Sequence, residues 1–488
     1  MLISKNAAKT PKAPTAPAPA KKPVKSEEPK DWTVIMYLDG DNDAEERITQ
    51  ALRLMERKVG STDKVNIVAQ LGRLPQKKLE GIYKERNYDY EPTNVDGDWS
   101  GLRRYYVTKH DKVEDDRKIY SECTAKLAED VHMCEPTTLA DCLIDSIKKY
   151  PAKNYMVCMA DHGGSLLGAM TSDGTPVGHE IMTPSQINKA LELVETATGE
   201  KPALIDMAAC LMASSEVAYQ LRDRADYYLA SQEVTSKTYQ HYGSILKDLV
   251  EASEAGKPMT PAQLGKRVVK EYDDKPRVAP DKSLVNLGKV GAVADSVKNL
   301  VGALDKTKIA PLELADAILE SQHFGMHGDP ITSFSAQTRD LHGIGVELQK
   351  LAEEKKDRNL AKAAKAVVAA VDSAVVTNNA HDYERSEVIA HGSSADGKEK
   401  TTTVVHYEGH YDAHGLSVFA PVNQMKLSND KFADFMAKRY DHLSFAKETG
   451  WGDWLTKFNQ SVVEERKKAG GDSTDAPEYQ PVEPSQLK

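Results

Sequence analysis

Long apolar runs are missing from this chain: none of its 488 residues lies in a stretch approaching the roughly 18 consecutive apolar residues that a membrane-spanning helix needs. A transmembrane segment is therefore not expected. Basic charge is also short, with 64 Lys and Arg against 74 Asp and Glu and a net charge of −10. Binding to a phosphate backbone draws on clustered Lys and Arg that release counterions, so nucleic acid is not expected as a partner. Cysteine is scarce. The five residues at 123, 134, 142, 158 and 210 are odd in number and have no CxxC spacing, which argues against a disulfide framework and a zinc site and fits a reduced compartment. The opening stretch lacks the apolar core of a secretory signal. As written, the chain is expected to be cytoplasmic; a mis-assigned start that hid a leader would make it secreted.

What is present divides the chain unevenly. Residues 1–30 are Pro, Ala and Lys with almost nothing large enough to bury, and read as an extended, disordered arm; residues 467–488 read as a similar tail. Within 31–255, the runs TVIMYL (33–38), VNIVAQL (65–71), RRYYVT (103–108), YMVCMA (155–160), ALIDMA (203–208) and YYLA (227–230) read as strands, most of them buried on both faces. Helical patterns alternate with them. Thr183 followed by Pro184 marks one helix start, and Thr137 or Thr138 is expected to cap the helix that stops before Pro151. The alternation predicts an α/β fold with a mostly parallel sheet and helices on both faces. Residues 256–466 are mainly helical in pattern, with short strands at TTTVVHY and GLSVFAPV.

Two residues stand where chemistry is expected. YMVCMA runs into Asp161-His162-Gly163-Gly164, and ALIDMAA runs into Cys210, so an imidazole and a thiol follow strand ends, where the crevice of an open α/β sheet binds ligands. Cys142 and Cys158 read as small core hydrophobes, and Cys123 and Cys134 have no decisive context. Cys210 is read as opening the helix CLMASSEVAYQLRDR, where the macrodipole would favour the thiolate. Gly163 leaves room for close backbone approach, and its amide with that of Cys210 would form an oxyanion hole. The pair would act as a dyad: Cys210 attacks a peptide carbonyl, His162 protonates the leaving amine, and water resolves the acyl-enzyme.

At these residues the chain resembles the clostripain family of cysteine peptidases, which shares an α/β sandwich with caspases and gingipains. The resemblance also includes WTVIMYLDGDND, GDWSGLRRYYV (97–107), SQEV (231–234), AHGLSVFAPV (413–422) and LSFAKETGWGDWL (443–455), and runs from Asp31 to about Phe458. It implies a caspase-like α/β/α sandwich, an endopeptidase acting on polypeptides, and a preference for Arg or Lys before the scissile bond. The family usually has an aspartate two residues before its cysteine to receive that basic side chain, whereas this chain has Ala208. Asp206, on the same strand face but about 6–7 Å away, and Gln232 and Glu233, after the next strand, are the remaining candidates for substrate binding. Relatives are often cleaved after a basic residue downstream of the histidine, yet no Lys or Arg occurs between Lys153 and Lys189. A weakened or altered basic preference and action as a single chain are therefore expected.

Two segments resemble metal sites. DGDND (39–43) starts like a calcium loop but has Ala44 and Gln50 where an EF-hand needs Gly and Glu, and reads as a polar strand-end loop near the cleft. No cofactor is needed for the chemistry; calcium enters only through the resemblance. His406, His410 and His414 are spaced by four, but their segment is β-rich and interrupted by Gly409, so no metal site is expected. The competing functions are a catalytically weak binding or scaffold protein of the same fold and a metallohydrolase using the three histidines. The sequence leaves oligomeric state open.

Overall fold

The computed structural model describes residues 28–85, 96–110, 117–128, 130–175, 178–235, 241–273, 281–325, 337–381, 383–393, 400–409, 412–422 and 435–468. Nearly all of the expected N-terminal arm and tail, and His410, lie outside them. At the centre is a nine-stranded sheet built from β1 (Lys30–Leu38), β2 (Val65–Arg73), β3 (Gly101–Tyr106), β4 (Glu122–Lys126), β5 (Ala152–Ala160), β8 (Leu204–Ala208), β9 (Tyr227–Ala230), β10 (Asp281–Asn286) and β13 (Val375–Ala380). Their order is β13-β10-β9-β8-β5-β1-β2-β3-β4. The five strands from β9 to β2 are parallel, and each pairing outside them, β10 with β9, β13 with β10, β3 with β2 and β4 with β3, is antiparallel.

The apolar runs of the central strands follow from cover on both faces. Along β1, Ile35 and Tyr37 enter one core with Val157, Met159, Ile205 and Met207, against helices Pro136–Lys149 and Pro184–Thr198. Trp32, Val34, Met36 and Leu38 enter a second core with Met156, Cys158, Leu204 and Ala208, against helices Glu45–Lys58, Tyr242–Glu254 and Pro261–Glu271. The result is the expected α/β/α arrangement. Cys142 and Cys158 are buried as small hydrophobes within it, and all five cysteines are free thiols.

Local signals locate some elements well. Thr183 closes a capping box with Gln186, and Pro184 occupies the first turn. The preceding helix begins earlier than expected, at Pro136 with Glu135 in the cap position, because proline there sets the helical φ before Thr137 and Thr138 are reached. The second half of the chain does not stand apart from the sheet. β10 and β13 complete one edge of it, so the expected boundary at 255 cuts across a single hydrogen-bonded layer. Four long helices, Val290–Leu304, Leu341–Glu354, Arg358–Ala374 and Trp451–Lys468, extend the first core. Among the described residues there are three smaller sheets: a hairpin of β6 (Ala169–Thr175) and β7 (Gly178–Met182), a hairpin of β14 (Tyr383–Ser393) and β15 (Lys400–Gly409), and the set β11 (His323–Phe324), β12 (Thr338–Asp340) and β16 (Ser417–Phe419).

Candidate active site

β1, β5 and β8 are neighbours in the middle of the sheet, with Leu38 beside Ala160 and Ala160 beside Ala208. Their carboxyl ends therefore finish level with one another. His162 lies two residues beyond Ala160, and Cys210 two residues beyond Ala208. Equal offsets on parallel strands about 4.8 Å apart place the imidazole and thiol loops side by side. Gly163 records their contact directly: a Cβ on it would lie 2.3 Å from the Cys210 carbonyl oxygen and 2.9 Å from the Cys210 nitrogen. Only glycine lets the His162 loop approach the Cys210 backbone so closely. Gly163 also faces Ala169 in an antiparallel bridge whose bonds run from Met170 N to His162 O and from Gly164 N to Gly168 O. It occupies the position between those bonds, so the bridge does not consume its amide.

The loop after β1 holds the histidine segment from the other side. His162 Nε2 is 2.7 Å from Asp43 Oδ1, with the histidine side chain 49% exposed and the aspartate 13%. Asn42 donates to Asp161 Oδ1 at 2.8 Å and to the Thr171 carbonyl at 2.7 Å, while Thr171 N donates to Asp161 Oδ2 at 2.5 Å. Asp161 is thus an anchor beneath the cleft, and burial pushes its carboxyl up to about 6. Asp39 accepts from the Asp41 amide, and Asp41 meets His132 Nδ1 at 2.9 Å and accepts from Ser172. The DGDND segment is the polar strand-end loop that its sequence predicts, and three of its side chains, those of Asp41, Asn42 and Asp43, reach across to neighbouring segments. Asp43 is the residue that sequence reasoning missed. The signal available was its position in a polar loop at the carboxyl end of a strand adjacent to β5.

The environment of Cys210 corrects one expectation. No helix begins there: the chain turns through Leu211 at φ +63°, and the helix Ser215–Gln220 starts only after the Ser214 cap. The reason is competition from β9. Leu211 N donates to Glu233 O and Ala213 N to Ser231 O, so residues 211–213 are tied to the loop after β9 and cannot wind into a helix. The macrodipole argument for a thiolate consequently fails. Cys210 Sγ lies 3.4 Å from both the Thr235 carbonyl and the Thr235 amide. Burial pushes the thiol up from its ordinary value, the Thr235 amide and hydroxyl oppose this, and nearby Glu233 and Asp161 add to it. A base must therefore take the proton for the sulfur to act at neutral pH.

The expected substrate-binding residues fare differently. Ala208 is buried in the second core. Asp206 shares its strand face but is fully buried, with Lys282 Nζ 2.8 Å from Oδ1 and the Tyr242 hydroxyl donating to Oδ2. Gln232 is also fully buried, donating to Asp340 at 3.0 Å and accepting from Gly415 N at 2.6 Å. Asp206 and Gln232 are each sealed in the interior here with their polar groups engaged. Glu233 lies next to the Cys210 turn; its Oε1 accepts from the amides of Val234 and Gly325. Of the three expected metal-like histidines, His406 is on β15 opposite Ser386, as its β-rich segment predicts, and His414 precedes β16.

A family model described as "Clostripain family" matches residues 36–458. Clostripain of Hathewaya histolytica is 25% identical over 219 residues, which are 41% of this chain and 39% of that protein, so the chain spans about two-fifths of this curated relative's length. Two solved structures share the fold. One is a secreted C11 cysteine protease from Bacteroides thetaiotaomicron in complex with an irreversible peptide inhibitor (TM-score 0.53, 15% identity, 87% of this chain and 99% of that chain). The other is an inactive zymogen C11 protease from Parabacteroides distasonis (TM-score 0.54, 17% identity, 87% and 99%). The expectation of a cytoplasmic location is overturned by these comparisons, since the Bacteroides relatives are described as secreted. No described helix is long and apolar enough to cross a membrane.

Proposed function

The chain belongs to the clostripain family, and on that premise we propose that it is a cysteine endopeptidase in which Cys210 is the nucleophile and His162 the base. The observation that carries this reading is the fit of Gly163 against the Cys210 backbone, which joins the imidazole and thiol loops at the carboxyl edge of the sheet. His162 takes the Cys210 proton as the sulfur attacks a peptide carbonyl, then returns it to the leaving amine. Water hydrolyses the thioester with the same imidazole as base. The Gly163 and Cys210 amides are the donors proposed for the oxyanion. Asp43 fixes the imidazole through Nε2 and is a positioning residue.

Entry of substrate requires the Cys210 sulfur to leave its bonds with Thr235, so the segment after β9 is proposed to shift when a peptide binds. A strong preference for Arg or Lys is not expected. Ala208 carries no charge and Asp206 is neutralised in the core, which leaves Glu233, bonded through its backbone to Leu211 beside the thiol, as the expected substrate-binding carboxylate. No basic residue between Lys153 and Lys189 offers a processing site, so the proposed form is a single chain. Secretion is the proposed location.

A peptidyl electrophile with a neutral or basic residue before the warhead tests the reading. It should label the native protein and fail on Cys210→Ala, and the native protein should cleave a peptide library that the variant leaves intact. A native protein that is neither labelled nor active in the library is instead a scaffold that kept the fold.

A further inference from the structure

A second group of ligating side chains is unused by the proposed chemistry. Asp340 ends β12 and caps the helix Leu341–Glu354, His342 sits in the first turn of that helix, and His414 lies in the segment leading into β16. β12 and β16 pair antiparallel with Asp340 opposite Ser417, which brings together residues more than 70 positions apart. One ligand atom from each side chain lies within 4.8 Å of the other two. We infer that Asp340, His342 and His414 form a binding site for a divalent transition-metal ion of the zinc type.

Two observations support this beyond proximity. Asp340 is fully buried and preorganised: Gly343 N donates to Oδ1 at 2.7 Å, while Gln232 Nε2 and His414 N donate to Oδ2 at 3.0 and 2.7 Å. Its Oδ1 lies 3.1 Å from His414 Nδ1, close to the separation of two donors that each sit about 2.0–2.2 Å from one tetrahedral ion. Independently, His342 Nδ1 is buried with no hydrogen-bond partner among the described residues. An imidazole nitrogen shut away from water without a partner is an unspent donor or acceptor. His342 Nε2 is 3.4 Å from Asp372 Oδ1, an outer carboxylate that would hold the proton on Nε2 and leave the Nδ1 lone pair for a metal.

Two imidazole nitrogens and one carboxylate oxygen suit zinc and the neighbouring first-row ions better than calcium or magnesium, which favour all-oxygen shells. His414 is the most exposed of the three and gives the ion its entry path and a place for water. The two rings are now stacked 3.8 Å apart at 13°, so their lone pairs lie in nearly parallel planes, and binding must tilt the rings to converge on one ion. The bound ion would fasten the start of the helix Leu341–Glu354 to the β16 lead-in. Through Gln232, which bridges Asp340 and Gly415, it would also stiffen the loop after β9 that touches Cys210.

The test uses the untagged full chain with Cys210→Ala, which removes the competing thiol ligand, after chelation and buffer exchange. Titration with zinc should show one equivalent bound and a higher melting temperature, and cobalt should give visible d–d absorption of a nitrogen and oxygen site. His342→Ala and His414→Ala, separately, should each abolish the equivalent and the cobalt band. Absence of binding and of a cobalt band in the Cys210→Ala chain overturns the inference without recourse to further variants. Retention of one tight equivalent in both histidine variants also overturns it, by placing the ion elsewhere.

Discussion

Replacing Lys282 by methionine should destabilise the protein by about 3–5 kcal/mol, the usual cost of leaving one member of a buried ion pair alone. The structure puts this pair at the unfavourable extreme, since the side chains of Asp206 and Lys282 are 0% and 1% exposed. Lys282 Nζ bonds both Asp206 Oδ1 and the Met207 carbonyl, at 2.8 and 3.0 Å, so its loss orphans a charged oxygen and a carbonyl together. Tyr242 continues to donate to the other carboxylate oxygen and recovers only part of that loss. Combining Asp206→Leu with Lys282→Met removes both charges and should restore most of the stability, to within about 1–2 kcal/mol of the parent, because paired buried ions contribute little net stability over apolar groups. Thermal and urea melts of the parent, both single variants and the double variant form the cycle that measures the coupling. Cleavage profiles on a peptide library should show the same preference in the parent and the double variant. If the double variant melts like its parent yet loses activity selectively on Arg and Lys sites, Asp206 lines the substrate pocket and the reasoning is refuted.

Three further outcomes are expected. His162→Ala should slow labelling of Cys210 by a peptidyl electrophile at pH 7 by about 100-fold or more and move the labelling profile to higher pH, because burial holds the unassisted thiol above its ordinary value; an unchanged rate would mean that His162 is not the base. Asp43→Asn should lower kcat by about 3–10-fold with KM nearly constant, as expected for losing one partly exposed charge-assisted hydrogen bond, and steady-state kinetics showing the loss in KM instead would refute a positioning role. Asp161 has a folded pKa raised to about 6, above its unfolded value, so its contribution to stability is greatest at low pH and declines as pH rises toward and through 6. Asp161→Asn lacks that titration. The stability of the parent relative to this variant should therefore fall by up to about 3 kcal/mol between pH 4 and 7, and parallel melting curves across that range would contradict the shift.

The sequence made some elements legible and concealed others for definite reasons. β1, β5 and β8 are buried on both faces, so each side chain must be apolar or internally paired, and the requirement is written as a continuous run. Thr183 and Gln186 announce a helix start because the capping box is made by residues three apart. β10, DKSLVN, reads as polar, yet Asp281 and Lys282 are buried: the first accepts from the Gln232 and Glu233 amides, the second pairs with Asp206. Its partners lie more than 45 positions away, so no local pattern marks the strand. The same holds at Cys210, where a helical periodicity loses to backbone bonds from the loop after β9.

The chain by itself determined the layered α/β class, the central strands, and the pair His162 and Cys210 at strand ends, because these follow from residue types at short spacing. Tertiary structure alone decided that Asp206 and Gln232 belong to the core, that Asp43 reaches the imidazole, and that Asp340, His342 and His414 converge. Those outcomes depend on which strands lie side by side and what each charge meets there, and such meetings are fixed only when the whole sheet is assembled.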